Sequence, residues 1–344
     1  MDQSPARRFA LIRRVLASAL SAAALVLVTS GCRQALAAKP GPPPRVFAFL
    51  SRTGGSELAH LLRYGSRISV VAPNWYALQV NSLTLRGGPS QPIVDAARAS
   101  NTQLWPVVNV HLEYPGPIGN PDARARVAEA LAVEAAKRGY AGLTLDVEPL
   151  PANRSRGFSA LACRVAARLH AQHEQLAVYV PRRTKNGGDH SYDWPTLVRC
   201  ADLLIAAGYN EHSAAGPAGP VTTATGFGQM LDYAAGVSRW RVAPIIGAFG
   251  YSWPGAGGPG EFLSTVEAEH MRQSAHARLR GGGGDAYFRA GGRVVHYQTV
   301  AGLIARARDA RDIGMRWLAL FSLGREPDSF WSQIKTIRQG VTRP

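Results

Sequence analysis

The sequence predicts a closed (β/α)8 barrel with a small α+β insertion between its seventh and eighth strands. Three observations predict it. Short, nearly continuous apolar runs recur eight times from residue 45 onward. The stretches between them carry apolar residues at helical spacing. The fingerprint G-x-G-x-x-G after the first strand, expected of the alternative doubly wound open sheet, is absent. Apolar strands alternating with amphipathic helices form a parallel sheet buried on both faces, and eight such units over about 300 residues suit a barrel.

The first element is not part of that fold. Arg7, Arg8, Arg13 and Arg14 precede Val15–Val28, an almost purely apolar run, which reads as the basic and apolar regions of an export signal. Its 14 residues fall short of the roughly 20 that a permanent membrane helix needs. Two exits are open: small-x-small cleavage at Ala35-Leu36-Ala37, or lipidation at Cys32, since Thr29-Ser30-Gly31-Cys32 resembles a bacterial lipobox with threonine in its leucine position. Residues 1–37 are therefore expected to be a signal peptide and 38–44, with Pro40, Pro42, Pro43 and Pro44, a stiff linker. An exported protein is expected, in the periplasm or envelope, lipid-anchored through Cys32 or free.

The barrel is expected over residues 45–340. Its strands are read at Val46–Leu50, Ile68–Pro73, Leu104–Val110, Gly142–Val147, Leu176–Val180, Leu203–Ala207, Val242–Phe249 and Trp317–Phe321. Helices are clearest at Asp122–Lys137 after Asn120-Pro121, at Arg156–His173, and at Thr299–Gly314, which opens on a capping threonine and closes on glycine. Residues 252–298 are too long and irregular for one barrel helix. Tyr287-Phe288 and Val294–Tyr297 flank Gly291-Gly292 and predict a hairpin there. Gly281–Gly284 follows no strand and lacks a P-loop lysine, so it reads as a surface loop.

Charge says less than its size implies. The formal balance is +16, yet only Lys39, Lys137, Lys185 and Lys335 are lysines, and the arginines are scattered over the whole length. Removing residues 1–37 takes away five basic residues and one acidic one, leaving +12. Nucleic-acid binding needs a clustered footprint, so none is expected. Anionic envelope polymers remain a permissible weak partner. Cys163 and Cys200 are the remaining cysteines after the leader, and a disulfide or two buried thiols both fit.

The chemistry-bearing stretch is Gly139–Pro149. Alternation along its strand turns Thr144, Asp146 and Glu148 to one face and Leu143, Leu145 and Val147 to the other. The carboxyl ends of barrel strands build the active site, and Glu148 is the last residue before the proline that ends this strand. Two carboxylates at i and i+2 couple, so one keeps its proton to higher pH, as a general acid requires.

This stretch resembles the D-x-x-D-x-D-x-E signature of family 18 glycoside hydrolases, the chitinases and their relatives. Ala207–His212 resembles the family's M-x-Y-D, and more closely the Y-D-E-H version of spore-cortex and cell-wall lytic members. Gly216–Val221, Gly247–Trp253, Ala72–Trp75 and the Tyr287–Gln298 hairpin are similar too, so the likeness covers residues 45–335. The resemblance implies an exported hydrolase of a β-linked polysaccharide containing N-acetylglucosamine, with peptidoglycan or a related envelope glycan ahead of chitin. It implies retention through attack of the substrate's own acetamido oxygen. Glu148 would be the acid, Asp146 would orient the acetamido group, and Tyr209 would donate a hydrogen bond to it.

The first two aspartates of the signature are here Ala141 and Thr144, the aspartate after the tyrosine is Asn210, and the tryptophan ending strand eight is Phe321. Threonine can still hydrogen-bond Asp146. Asn210 brings no negative charge, and Phe321 keeps an apolar floor without an indole donor. These departures support an alternative reading: a weak or inactive, lectin-like barrel. Trp75 and Trp253, expected on loops after strands two and seven, could stack on sugar or simply pack, and Asn109 at the end of strand three could bond a hydroxyl or form a turn. His212 reads as a loop-structuring residue. No metal or organic cofactor is implied, and a monomer is expected.

Overall fold

The computed structural model describes residues 44–51, 55–79, 82–110, 117–282 and 286–338. The leader, both of its exits and the linker up to Pro43 lie outside the described residues. In chain order come β1 (Arg45–Leu50), α1 (Ser56–Tyr64), β2 (Val70–Gln79), β3 (Thr84–Gly87), α2 (Gln91–Ala99), β4 (Gln103–Leu104) and β5 (Val107–Val110). There follow α3 (Pro121–Arg138), β6 (Gly142–Val147), α4 (Ser155–His170), β7 (Gln175–Val180), α5 (Trp194–Cys200), β8 (Leu203–Ala207), α6 (Ala224–Ser238) and β9 (Val242–Gly247). The insertion contributes β10 (Phe249–Pro254), β11 (Glu261–Ser264), α7 (Thr265–Ser274), β12 (Tyr287–Ala290) and β13 (Arg293–Tyr297). Last come α8 (Val300–Asp312), β14 (Trp317–Phe321) and α9 (Asp328–Arg338).

β1, β2, β5, β6, β7, β8, β9 and β14 pair in parallel in that order, and β1 pairs with both β2 and β14, which closes the barrel. All eight expected strands are present. β2 runs to Gln79, beyond the expected Pro73, because β3 folds back on it antiparallel.

Alternation divides each strand between two cores. Leu143, Leu145 and Val147 face the helices, with Val127, Leu131 and Leu161. Phe47, Phe49, Ala177, Tyr179, Ile205 and Ala319 fill the barrel interior. At the carboxyl ends of the strands the inward set mixes aromatic side chains, Phe49, Tyr179 and Phe321, with the polar Asn109 and Asp146, and these border an open space.

Local chemistry explains the helix ends. Asn120 caps α3, its side chain accepting from Asp122 N at 2.8 Å, and Pro121 takes the first turn, where its missing N–H costs nothing. Gly139 ends the helix at φ 67°, a left-handed position suited to glycine. Thr299 caps α8 as expected, accepting from Gly302 N at 3.1 Å. Cys163 on α4 and Cys200 on α5 form a disulfide with Cα atoms 5.1 Å apart, which decides between the two alternatives left by the sequence.

The insertion is a four-stranded antiparallel sheet in the order β11-β10-β13-β12, and it contains the expected Tyr287–Tyr297 hairpin. It starts at Phe249 rather than 252, because β9 ends at Gly247 and the chain turns at once into β10. Gly250 lets β10 lie close against β13, since a Cβ there would stand 2.2 Å from the His296 carbonyl oxygen. Ser264 and Glu267 form a reciprocal capping box that starts α7.

Candidate active site

A cavity of about 380 Å³ opens at the carboxyl ends of the barrel strands. Its polar lining is Asp146 in β6 and Glu148 just after it, Asn74 in β2, Asn109 in β5, Asn210 after β8, and Ser51 after β1. Its walls are aromatic: Phe49, Tyr179, Tyr209 and Phe321 from the barrel, with Phe249, Tyr251 and Phe262 at the start of the insertion. The Tyr192 hydroxyl, buried in the loop after β7, donates to the Val147 carbonyl at 2.5 Å and fixes the backbone between the two carboxylates.

Burial drives the electrostatics. It raises the Glu148 carboxyl from 4.5 to about 7, helped by the negative charges of Asp146 and then Asp189. Near neutral pH Glu148 is therefore a carboxylic acid about half the time and can give or take a proton. Burial also pushes the Tyr209 and Tyr179 hydroxyls well above the usual tyrosine range, so both stay neutral donors. They hydrogen-bond each other.

The structure brings most, not all, of the expected site residues together. Asp146, Glu148, Tyr209, Asn109, Asn210 and Phe321 line the cavity. Asn109 Nδ2 donates to the Tyr76 carbonyl at 3.2 Å and to the Asn74 side chain. Asn210 stands at φ 63°, where asparagine and aspartate are at home, and its Oδ1 accepts from the Tyr251 hydroxyl at 3.3 Å. Phe321 packs 5.8 Å, centroid to centroid, from both Phe49 and Tyr209. His212 serves its loop, its Nδ1 lying 3.0 Å from the Pro217 carbonyl oxygen.

Three expectations are corrected. Thr144 is fully buried and its hydroxyl donates to the Trp105 carbonyl at 2.9 Å, so it holds the cavity floor from beneath and neither bonds Asp146 nor reaches a substrate. Trp75 lies within β2, not on a loop. The register shift between Asn74 and Tyr76 turns its ring away from the axis, 6.1 Å from Tyr140. Trp253 lies within β10, buried, with Nε1 donating to the Gly216 carbonyl at 3.1 Å. Neither tryptophan lines the cavity.

Other lining residues escaped the sequence reading. Phe49 and Tyr179 sit at inward positions of apolar strands, where period-2 alternation was the available signal. Phe262 needed the fold of the insertion. Asp189 does not line the cavity but acts on Glu148 through its charge, and it sits in a loop without periodicity. Among the described residues no group of three or more His, Cys, Asp or Glu side chains is placed to hold a metal ion.

The fold and the site together define a closed (β/α)8 barrel bearing paired carboxylates in an aromatic cavity. No protein-family model matches the chain. Among curated proteins it is similar to the uncharacterized glycosylase YvbX of Bacillus subtilis (strain 168), 21% identical over 303 residues, 82% of this chain and 87% of that protein. Among solved structures it is similar to a chitinase from Chromobacterium violaceum ATCC 12472, with a TM-score of 0.78 at 23% identity, over 88% of this chain and 100% of that one. The spore cortex-lytic enzyme SleL of Bacillus megaterium QM B1551 superposes with a TM-score of 0.73 at 13% identity, over 86% of this chain and 74% of that one. At these identities the likeness shows the fold, a (β/α)8 barrel that this chain shares with these proteins.

Proposed function

We propose that the protein is a glycoside hydrolase that cleaves a β-linked polysaccharide containing N-acetylglucosamine, with peptidoglycan or a related envelope glycan preferred to chitin. One observation carries the reading: a carboxyl, Glu148, raised to about 7 beside a second carboxylate at the mouth of an aromatic cavity. That combination suits proton donation to a sugar's leaving oxygen at neutral pH. The similar chitinase, glycosylase and cortex-lytic enzyme support the class.

In the proposed sequence Glu148 gives its proton to the glycosidic oxygen as the bond to C1 breaks. The substrate's acetamido oxygen closes on C1 from the opposite face, forming an oxazolinium ion. Asp146 and Tyr209 hold the acetamido group for that attack. Glu148, now a carboxylate, takes a proton from a water whose oxygen opens the ring at C1, so configuration is retained and the acid is restored. The basic and apolar leader supports action outside the cytoplasm, with Cys32 as the anchor if it is lipidated.

A second reading, glycan binding without hydrolysis, rests on Asn210, an amide where the resembling family carries a carboxylate. The test is release of reducing ends from peptidoglycan and from acetylated chitooligosaccharides by the parent and by Glu148→Gln. Release by the parent alone is expected. Equal, negligible release from both, with glycan binding retained, would overturn hydrolysis in favour of the second reading.

A further inference from the structure

The end of the barrel opposite the cavity carries a cluster of unpaired arginines. Arg45 opens β1, Arg316 directly precedes β14, and Arg239 and Arg241 lie between α6 and β9. β1, β14 and β9 are neighbours in the barrel, and the backbone joins the group: Arg45 N donates to Arg316 O at 2.9 Å and Arg316 N to Arg239 O at 2.8 Å. None of the four is ion-paired among the described residues. Asp202 and Asp312, at the same end of neighbouring elements, are held by His170 and Arg311.

Trp240 stands among these arginines and is 68% exposed, the most exposed large apolar side chain described. The Arg316 guanidinium lies 5.1 Å from its ring centre. Basic residues that close helices, such as Arg98, Arg138 and Arg168 here, are explained by the helix dipole. Arg45, Arg241 and Arg316 lie at the starts of strands, where no helix dipole accounts for them; the Arg45 guanidinium lies 4.1 Å from the Trp317 ring centre and Arg241 donates to the Val198 carbonyl at 3.3 Å, and neither contact neutralises the charge. Their crowding also has a cost, because Arg316 beside Arg45 lowers the Arg45 pKa after burial has done so.

We propose that this basal face docks on an anionic phospholipid bilayer, leaving the cavity at the far end open to substrate. Unpaired guanidinium groups supply the attraction to lipid phosphates. An exposed indole with the Arg316 guanidinium beside it and arginines on either side in the chain suits the headgroup layer, where one side of the ring is apolar and the other wet. The chain enters the barrel on this same face, at Arg45. A soluble anionic polymer would use the arginines alone and leave Trp240 without a role.

The experiment is co-sedimentation of the full chain with phosphatidylcholine vesicles and with vesicles containing about one third phosphatidylglycerol. The parent is compared with R239Q/R241Q/R316Q and with Trp240→Ala, whose exposed site tolerates truncation. The leader contributes equally to every arm. Preference of the parent for anionic vesicles is expected, falling roughly a hundredfold in the triple variant at about fivefold per arginine. Trp240→Ala should weaken partitioning to both vesicles several-fold, and unchanged melting temperatures establish folding. Equal sedimentation of parent and triple variant would overturn the proposal. So would retention on soluble poly(glycerol phosphate) without vesicle binding.

Discussion

Replacing Glu148 by glutamine should change how stability depends on pH, whatever the substrate. In the fold this carboxyl titrates near 7 against its usual 4.5. Between those values the folded protein holds a proton that the unfolded chain has released. Raising the pH through that window therefore favours unfolding, and stability falls from pH 4.5 to about 7 and then levels. At about 1.4 kcal/mol per pH unit, the interval amounts to about 3 kcal/mol. Glu148→Gln removes the titration, so relative to the parent the variant should gain about 3 kcal/mol between pH 4 and pH 8. The assay is urea unfolding of both proteins at the two values. A parent-to-variant difference that is the same at pH 4 and pH 8 would refute the burial argument and the acid role built on it.

Asp189→Asn removes one of the charges that raise the Glu148 carboxyl, so the alkaline limb of the pH–rate profile, expected near 7, should move to lower pH; movement upward would count against this reading. Asn210→Asp places a carboxylate at the cavity without disturbing the φ 63° backbone. It should raise kcat about tenfold on acetylated chitooligosaccharides, and an unchanged kcat would show that the amide is no handicap. The Cys163–Cys200 bridge closes a separation of 37 residues, for which chain entropy gives about 4 kcal/mol. Cys163→Ser/Cys200→Ser should lower the urea-derived stability by about 2–4 kcal/mol, and a change below about 0.5 kcal/mol would remove the bridge from the stability account.

The barrel was legible because the local signals agree. Each strand is an apolar run, and helix ends carry their own marks at Asn120, Gly139 and Thr299. Asp146 and Glu148 were legible because polar residues at the end of an apolar strand are conspicuous. Thr144 was misread because alternation gives the face and not the depth: it faces the axis but sits one layer below the cavity. Trp75 was misread because strand two was read as ending at Pro73, whereas it runs to Gln79 with a bulge beside the tryptophan. Phe262 and Asp189 reach the site through an insertion and a loop, and no period in the sequence reports where such segments fold back.

The aromatic walls have a consequence in hydration. At about 30 Å³ per molecule, a cavity of about 380 Å³ holds on the order of ten waters, many facing Phe49, Phe249 or Phe321 with no hydrogen bond to gain. A sugar ring that displaces them covers those faces with its own C–H surface. Glycan binding to Glu148→Gln should then show a negative heat-capacity change, the mark of apolar surface leaving water, even though the ligand is among the most hydroxylated of biological molecules.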